Sequence, residues 1–263
     1  MSDQKKPNPH AGHRERMRTR FIKEGADHFE AHQLLEMFLF PLLPRRDTNE
    51  IAHRLLEQFG SLQDVFLAEP EDLVQVEGIS DITASAIKVT AAIYRKMVIE
   101  SYHPPKRYEH FEDIVRYLQT LYTGVTVERA YLLLFDNGMK LLDCVLLDEG
   151  TVTGANVSAR KIIQHAIKKN AACVLLAHNH PGGVAIPSSA DVATTNFLYN
   201  NLQAVGLTLL DHVVIGRETV TPILNRQQGN LRPSPVTGKI DEKFYQSFYG
   251  EYDDRAKSLG KRK

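Results

Sequence analysis

Apolar residues recur along this chain at two different spacings, and the change from one to the other divides it. From Ala31 the spacing is helical: Leu34, Leu35, Phe38 and Leu39 share one side, and Pro41 and Pro44 end the segment. Asp47 or Thr48 can cap the next helix, whose inner side is Ile51, Leu55, Leu56 and Phe59 and whose stop is Gly60. Ser61 opens a short helix through Val65 and Phe66, and 71–74 predicts another. Val76-Glu77-Gly78-Ile79-Ser80-Asp81 then reads as a turn into a helix that begins near Asp81 and runs through Ile87, Ala91 and Tyr94. That helix stops before His103-Pro104-Pro105-Lys106, a Pro-rich polar stretch that marks a domain boundary.

Beyond the boundary, strand and helix periods alternate. The stretch 111–122 is an amphipathic helix with Phe111, Ile114, Val115, Leu118 and Leu121 on one side. A strand over 127–135 closes in the Asp136-Asn137-Gly138 turn, and 140–147 returns as its partner. The stretch 150–157 is ambiguous. A helix over 159–169 turns Ile162, Ile163, Ala166 and Ile167 inward, a strand follows over 173–177, and a helix over 188–205 ends at Gly206. A last strand covers 207–215. This alternation predicts an α/β sheet with helices packed on it. The expected organisation is a basic arm (1–24), an all-helical domain (25–102), a linker (103–108), an α/β domain (109–225) and a C-terminal extension (226–263). The extension carries Pro233, Pro235 and Gly238 before a cluster of aromatic residues, and is expected to be mobile.

Composition adds bounds. The 263 residues are 43% hydrophobic and 24% charged, with 32 basic residues against 32 acidic, which suits a soluble chain of two domains with no overall bias towards nucleic acid or membrane. Locally, residues 1–23 hold seven Lys or Arg against two acids; their spread favours a solvated tail and helix face over a phosphate-contacting arm. Cys144 and Cys173 sit in apolar runs and read as packing residues, since two cysteines in a chain of this length are no disulfide framework. The N-terminus is polar and no apolar run approaches the ~20 residues that span a bilayer, so a cytoplasmic protein without membrane contact is expected.

The chemistry concentrates where the 173–177 strand ends, in Ala177-His178-Asn179-His180-Pro181-Gly182-Gly183. Strand side chains alternate faces, so His178 and His180 point to one side. Pro181-Gly182-Gly183 turns the backbone, Ser188 starts a helix, and Asp191 falls in its first turn. Taken singly, a His-x-His at a strand end and a Ser-x-x-Asp capping box need no function. Together they place two imidazoles and one carboxylate, separated from His180 by ten intervening residues, within reach of one metal ion with a coordination position left open, as catalytic sites have. The helix N-terminus and the metal would both hold Asp191 ionised. A metallo-β-lactamase pattern needs an Asp and a His within a few residues of His180, and a cupin pattern a nearby Glu; both are missing here.

The His-x-His, Ser188 and Asp191 set resembles the JAMM (MPN-plus, or JAB) metallopeptidase signature. The wording His-Asn-His-Pro-Gly-Gly, then Pro-Ser-x-x-Asp, with Asp211-His212-Val213-Val214-Ile215-Gly216 after it, is similar to the RadC family. Members of that family also carry an N-terminal helix-hairpin-helix domain, which the Gly78 and Ser80 turn resembles. The resemblance implies a cytidine-deaminase-like mixed sheet with flanking helices and one zinc ion per chain, held by His178, His180 and Asp191. It implies catalytic roles for Glu128, as the base acting on water, and for Ser188, as a donor to the developing oxyanion. In a helix-hairpin-helix, backbone N–H groups bind a nucleic-acid phosphate; the positions concerned here are Gly78, Ser80 and Lys88. Ser80 stands where the hairpin usually has a second glycine, and Arg160-Lys161 stands where the family usually has Arg-Glu.

Two functions follow from the resemblance. One is a zinc-dependent metallopeptidase that hydrolyses a peptide or isopeptide bond of a peptide or protein substrate. The other is a DNA-associated repair accessory protein that holds duplex backbone through its helical domain. A fold that binds zinc without turnover is a third reading.

Overall fold

A computed structural model describes residues 12–150, 158–217 and 219–226. The chain divides into two compact units, Met1–Lys96 and Met97–Lys263. Among the described residues no helix is long and apolar enough to cross a membrane.

The first unit is helical: α1 (His13–Glu24), α2 (Ala31–Leu39), α3 (Thr48–Phe59), α4 (Leu62–Leu67), α5 (Pro70–Leu73) and most of α6 (Asp81–Ser101). The expected caps form. Asp47 accepts from the amides of Asn49 and Glu50, and Ser61 from that of Asp64. The core is Leu35, Leu39, Ile51, Leu55, Val65, Leu73, Val76, Ile79 and Ile87, largely the residues at helical spacing. The basic segment from His13 is a helix with its own anchor. Met17 packs on Phe29 and Phe40, and the Arg14 guanidinium donates to the carbonyls of Phe40, Leu43, Pro44 and Arg46.

The second unit holds α7 (Phe111–Tyr122), β1 (Arg129–Phe135), β2 (Leu141–Glu149), α8 (Ala159–Lys169), β3 (Cys173–Asn179), α9 (Ser189–Ala204), β4 (Thr208–Ile215), β5 (Val220–Pro222) and α10 (Ile223–Arg226). The strands form one mixed sheet in the order β2-β1-β3-β4-β5. Only β3 and β4 run parallel, and the crossover between them carries α9. The expected α/β sheet with flanking helices is therefore present. The strand expected over 127–135 begins two residues late, so Glu128 precedes β1, and the His-bearing strand runs on through Asn179. β5 and α10 had no counterpart in the pattern. Residues 151–157 and 227–263, including nearly all of the C-terminal extension, lie outside the described residues.

Alternation assigns the two faces of the sheet. Leu133, Phe135, Leu175, Ala177, Val213 and Ile215 pack with Phe111, Ile114 and Leu118 of α7. Leu132, Leu134, Val174, Leu176 and Leu209 pack with Ile162 of α8 and with Leu198 and Leu202 of α9. His178 and His180 continue the Val174–Leu176 phase, so they emerge on the α9 face. In β4 the pairing slips by one residue, from Val174↔Leu209 to Leu175↔Asp211. That irregularity re-phases the strand, as a bulge does. His212, opposite Leu176, comes to the α9 face too.

A candidate metal centre at the end of β3

The loop from β3 to α9 is held at both sides by the end of β4. His180 N donates to Ile215 O at 2.8 Å, Arg217 N to Gly183 O at 3.0 Å, and Ala185 N to the Thr219 hydroxyl at 3.2 Å. Gly216 permits this approach: a Cβ there would lie 2.7 Å from both Ala185 N and Gly183 O. The loop thus returns α9 to the strand end that bears the histidines.

Ser188 is the N-cap of α9, and with Asp191 it completes a capping box. Its hydroxyl accepts from Asp191 N at 3.1 Å and donates to Asp191 Oδ2 at 2.7 Å, while Ser188 N donates to the same oxygen at 2.7 Å. The cap thereby fixes the carboxylate. Asp191 Oδ1 lies 3.3 Å from His178 Nε2, and Oδ2 lies 3.8 Å from His180 Nε2. The two Nε2 atoms are 3.0 Å apart. One ligand atom from each of His178, His180 and Asp191 lies within 4.8 Å of the others, and these residues are the only such group of three among the described residues. They could hold a metal ion.

The donor set suits a cation. His180 Nδ1 lies 3.1 Å from Val184 O. A carbonyl can only accept, so Nδ1 carries the proton of the neutral ring and Nε2 presents a lone pair. Burial pushes the His178 imidazole down to about 4; the Asp191 charge opposes this shift and His180 adds to it. Burial alone would raise the Asp191 carboxyl, but hydrogen bonds from Ser188 and the nearby His178 hold it below its usual value. Burial thus favours the neutral His178 imidazole and the hydrogen bonds favour the ionised Asp191 carboxylate, and these are the protonation states a metal requires.

Glu128 does not belong to this group of three. It sits at the neighbouring strand end, half-buried, with its carbonyl accepting from Gly150 N at 2.9 Å. Ala130 pairs with His178, and Glu128 stands two residues earlier, just before the strand begins. The side-chain amide of Asn179 brackets it, accepting from Arg129 N at 2.7 Å and donating to Val127 O at 3.0 Å. Sequence reasoning passed over Asn179, Val184, Thr195 and His212. Asn179 and His212 stood in the motifs His-Asn-His and Asp211-His212, without a role assigned to either. Asp211, fully buried, accepts from the amides of His212, Ile223 and Leu224 and so anchors the start of α10.

In the helical unit, Gly78 has φ +104°, which L side chains rarely adopt, and a Cβ there would lie 2.7 Å from Ile51 Cδ1, so that side chain would have to shift. Ser80 accepts from Thr83 N at 3.4 Å, as a cap of α6 would. Lys88 Nζ donates to the carbonyls of Leu67 and Ala68 at 3.2 and 2.9 Å, at the end of α4, and lies 3.8 Å from Glu69.

Comparison with known proteins agrees with this geometry. Residues 108–230 match the RadC-like JAB domain, the stretch that carries the sheet and the candidate centre. A UPF0758 protein of Rhodobacter capsulatus is 31% identical over 201 residues, which cover 76% of this chain and 94% of the relative. A helical region followed by a JAB domain, with the His178, His180 and Asp191 group at its strand end, makes this chain a member of the RadC family.

Proposed function

We propose that the chain is a zinc-dependent metallopeptidase of the JAMM type, hydrolysing a peptide or isopeptide bond. The observation that carries this reading is the convergence of His178 Nε2, His180 Nε2 and an Asp191 oxygen, one ligand atom from each lying within 4.8 Å of the others. In this reading His178, His180 and Asp191 hold the zinc, leaving a position free for water or substrate. Bound there, zinc would supply a Lewis acid that polarises a carbonyl and lowers the pKa of water to around 7.

The chain's own groups do the rest. The Glu128 carboxylate takes a proton from the attacking water and delivers it to the leaving amine nitrogen. The Asn179 side chain holds the backbone on both sides of Glu128, at Val127 and Arg129, which supports this role. Ser188 holds Asp191 in its ligating orientation, and its hydroxyl stabilises the oxyanion after rotating away from Asp191 Oδ2.

The test is metal content followed by turnover. Purified wild-type protein should carry or take up about one zinc per chain, and His178→Ala with His180→Ala should carry none. Glu128→Gln should keep zinc and lose hydrolysis in a screen of peptide and isopeptide substrates. Well-folded wild-type protein that takes up no zinc would sink the reading.

A further inference from the structure

Resting on the reading of His178, His180 and Asp191 as a zinc site, we infer that His212 and Thr195 form an outer chain that fixes the ligating tautomer of His178 and ties it to Asp191. The argument starts from an atom with no choice. Thr195 Oγ1 lies 2.6 Å from Asp191 O, a carbonyl that can only accept, so the single hydroxyl proton points there. Thr195 Oγ1 therefore meets His212 Nδ1, 2.7 Å away, as an acceptor, and Nδ1 carries the proton of the His212 ring. His212 Nε2 is then a lone pair, and it accepts from His178 Nδ1 at 2.8 Å. With Nδ1 protonated, His178 Nε2 is left with its lone pair towards His180 and Asp191. A neutral His212 satisfies every polar atom in this chain, and each proton is used once.

The fold builds the chain from three elements. The register shift in β4 turns His212 to the α9 face, where it is buried beside His178. Thr195 lies one helical turn after Asp191 on α9, so its hydroxyl reaches back to the Asp191 carbonyl. A ligand from β3 and a ligand from α9 are thus joined through β4 by three hydrogen bonds. His180 has a separate orienting partner, the Val184 carbonyl of its own loop. Both nitrogens of His212 are engaged, so His212 is a positioning residue and not a fourth ligand.

Zinc affinity of the full chain, measured by competition with a chromophoric chelator, tests this. Removal of an outer partner of a ligating histidine weakens metal binding by about 10–100-fold, and His212→Leu should fall in that range. Thr195→Val, which keeps the side-chain shape, should weaken binding in the same direction by less. His212→Gln, whose amide oxygen can accept from His178 Nδ1–H, should recover most of the affinity. A purely structural role predicts no such rescue. Thermal unfolding of the metal-free proteins identifies a variant that has lost its fold, and Thr195→Val serves if His212→Leu does. In cobalt-substituted protein, a shifted, slowly exchanging imidazole N–H signal from His178 should be present in the wild type and lost in His212→Leu. Folded variants that bind zinc as the wild type does would overturn the inference alone. A wild type that binds no zinc would overturn it together with the metallopeptidase reading.

Discussion

The side-chain oxygen of Asn179 accepts a hydrogen bond at 2.7 Å from the backbone amide of Arg129, fifty residues earlier in the chain. Its nitrogen donates to Val127 O, so one side chain bridges both neighbours of Glu128 where strand pairing itself has ended. The residue between the two histidines therefore carries a task of its own. Asn179→Ala would leave the Arg129 amide and the Val127 carbonyl without this partner. It is expected to lower the unfolding free energy by about 1–3 kcal/mol, read as a shift in the urea midpoint at unchanged slope. Zinc content should not change, because the His178, His180 and Asp191 side chains make no contact through Asn179 that the substitution removes. An unaltered midpoint would mean that the bracket contributes nothing.

Gly216 marks the closest approach between the β3–α9 loop and the end of β4. An alanine Cβ would sit 2.7 Å from two backbone atoms, Ala185 N and Gly183 O, neither of which can swing aside as a side chain does. Gly216→Ala should cost about 1–3 kcal/mol as an overpacking change. It should also speed amide hydrogen exchange at Ala185 and Arg217, whose hydrogen bonds staple the loop. Exchange rates equal to the wild type at both amides would show that the loop yields without loosening.

The two thiols lead to a third expectation. Burial pushes Cys173 up to about 12, with Asp136 adding to it. Cys144, part-buried, is pushed up to about 11, again chiefly by burial, with a Tyr117 hydrogen bond opposing and Asp143 reinforcing. Both stay protonated in the folded chain at pH 8, so a thiol reagent should react with neither until guanidinium unfolds the protein. Linkage sets the sign at alkaline pH. The unfolded thiols lose their protons near their ordinary value of 9.0, while the folded ones hold them until about 11 and 12. The unfolded state then binds fewer protons, and stability falls as pH rises across that window. Tyr117 and Tyr122, both raised above 10.0 by burial, act in the same direction. Rapid thiol labelling of native protein at pH 8 would contradict this account.

Much of the fold was legible because burial imposes a period. Phe111, Ile114 and Leu118 at helical spacing became the buried side of α7, and the run from Cys173 became a central strand. The cap at Ser188 was legible for a local reason: a Ser-x-x-Asp box needs only its own four residues. What escaped was set by partners far along the chain. β5 is three residues long and exists by pairing with β4, which no period of its own announces. The start of β1 at Arg129 was missed because the Asn179 side chain takes over the pairing at Val127, and a side chain substituting for a strand leaves no pattern.

The same division runs through the candidate centre. His178, His180, Ser188 and Asp191 could be named from the sequence because their grouping depends on a strand phase, a turn and a helix start, all within fourteen consecutive residues. Local stereochemistry makes that grouping legible, while hydrogen bonds to the end of β4 close the loop that brings the residues together. The orienting atoms could not be named. His212 reaches His178 across 34 residues only because the β4 register slips by one, and an unshifted strand would have turned it to the α7 face. The sequence by itself thus determined which residues converge as candidate ligands. The tertiary structure decided which hydrogen bonds orient them, because tautomer and ring direction depend on where distant backbone and side-chain atoms come to rest.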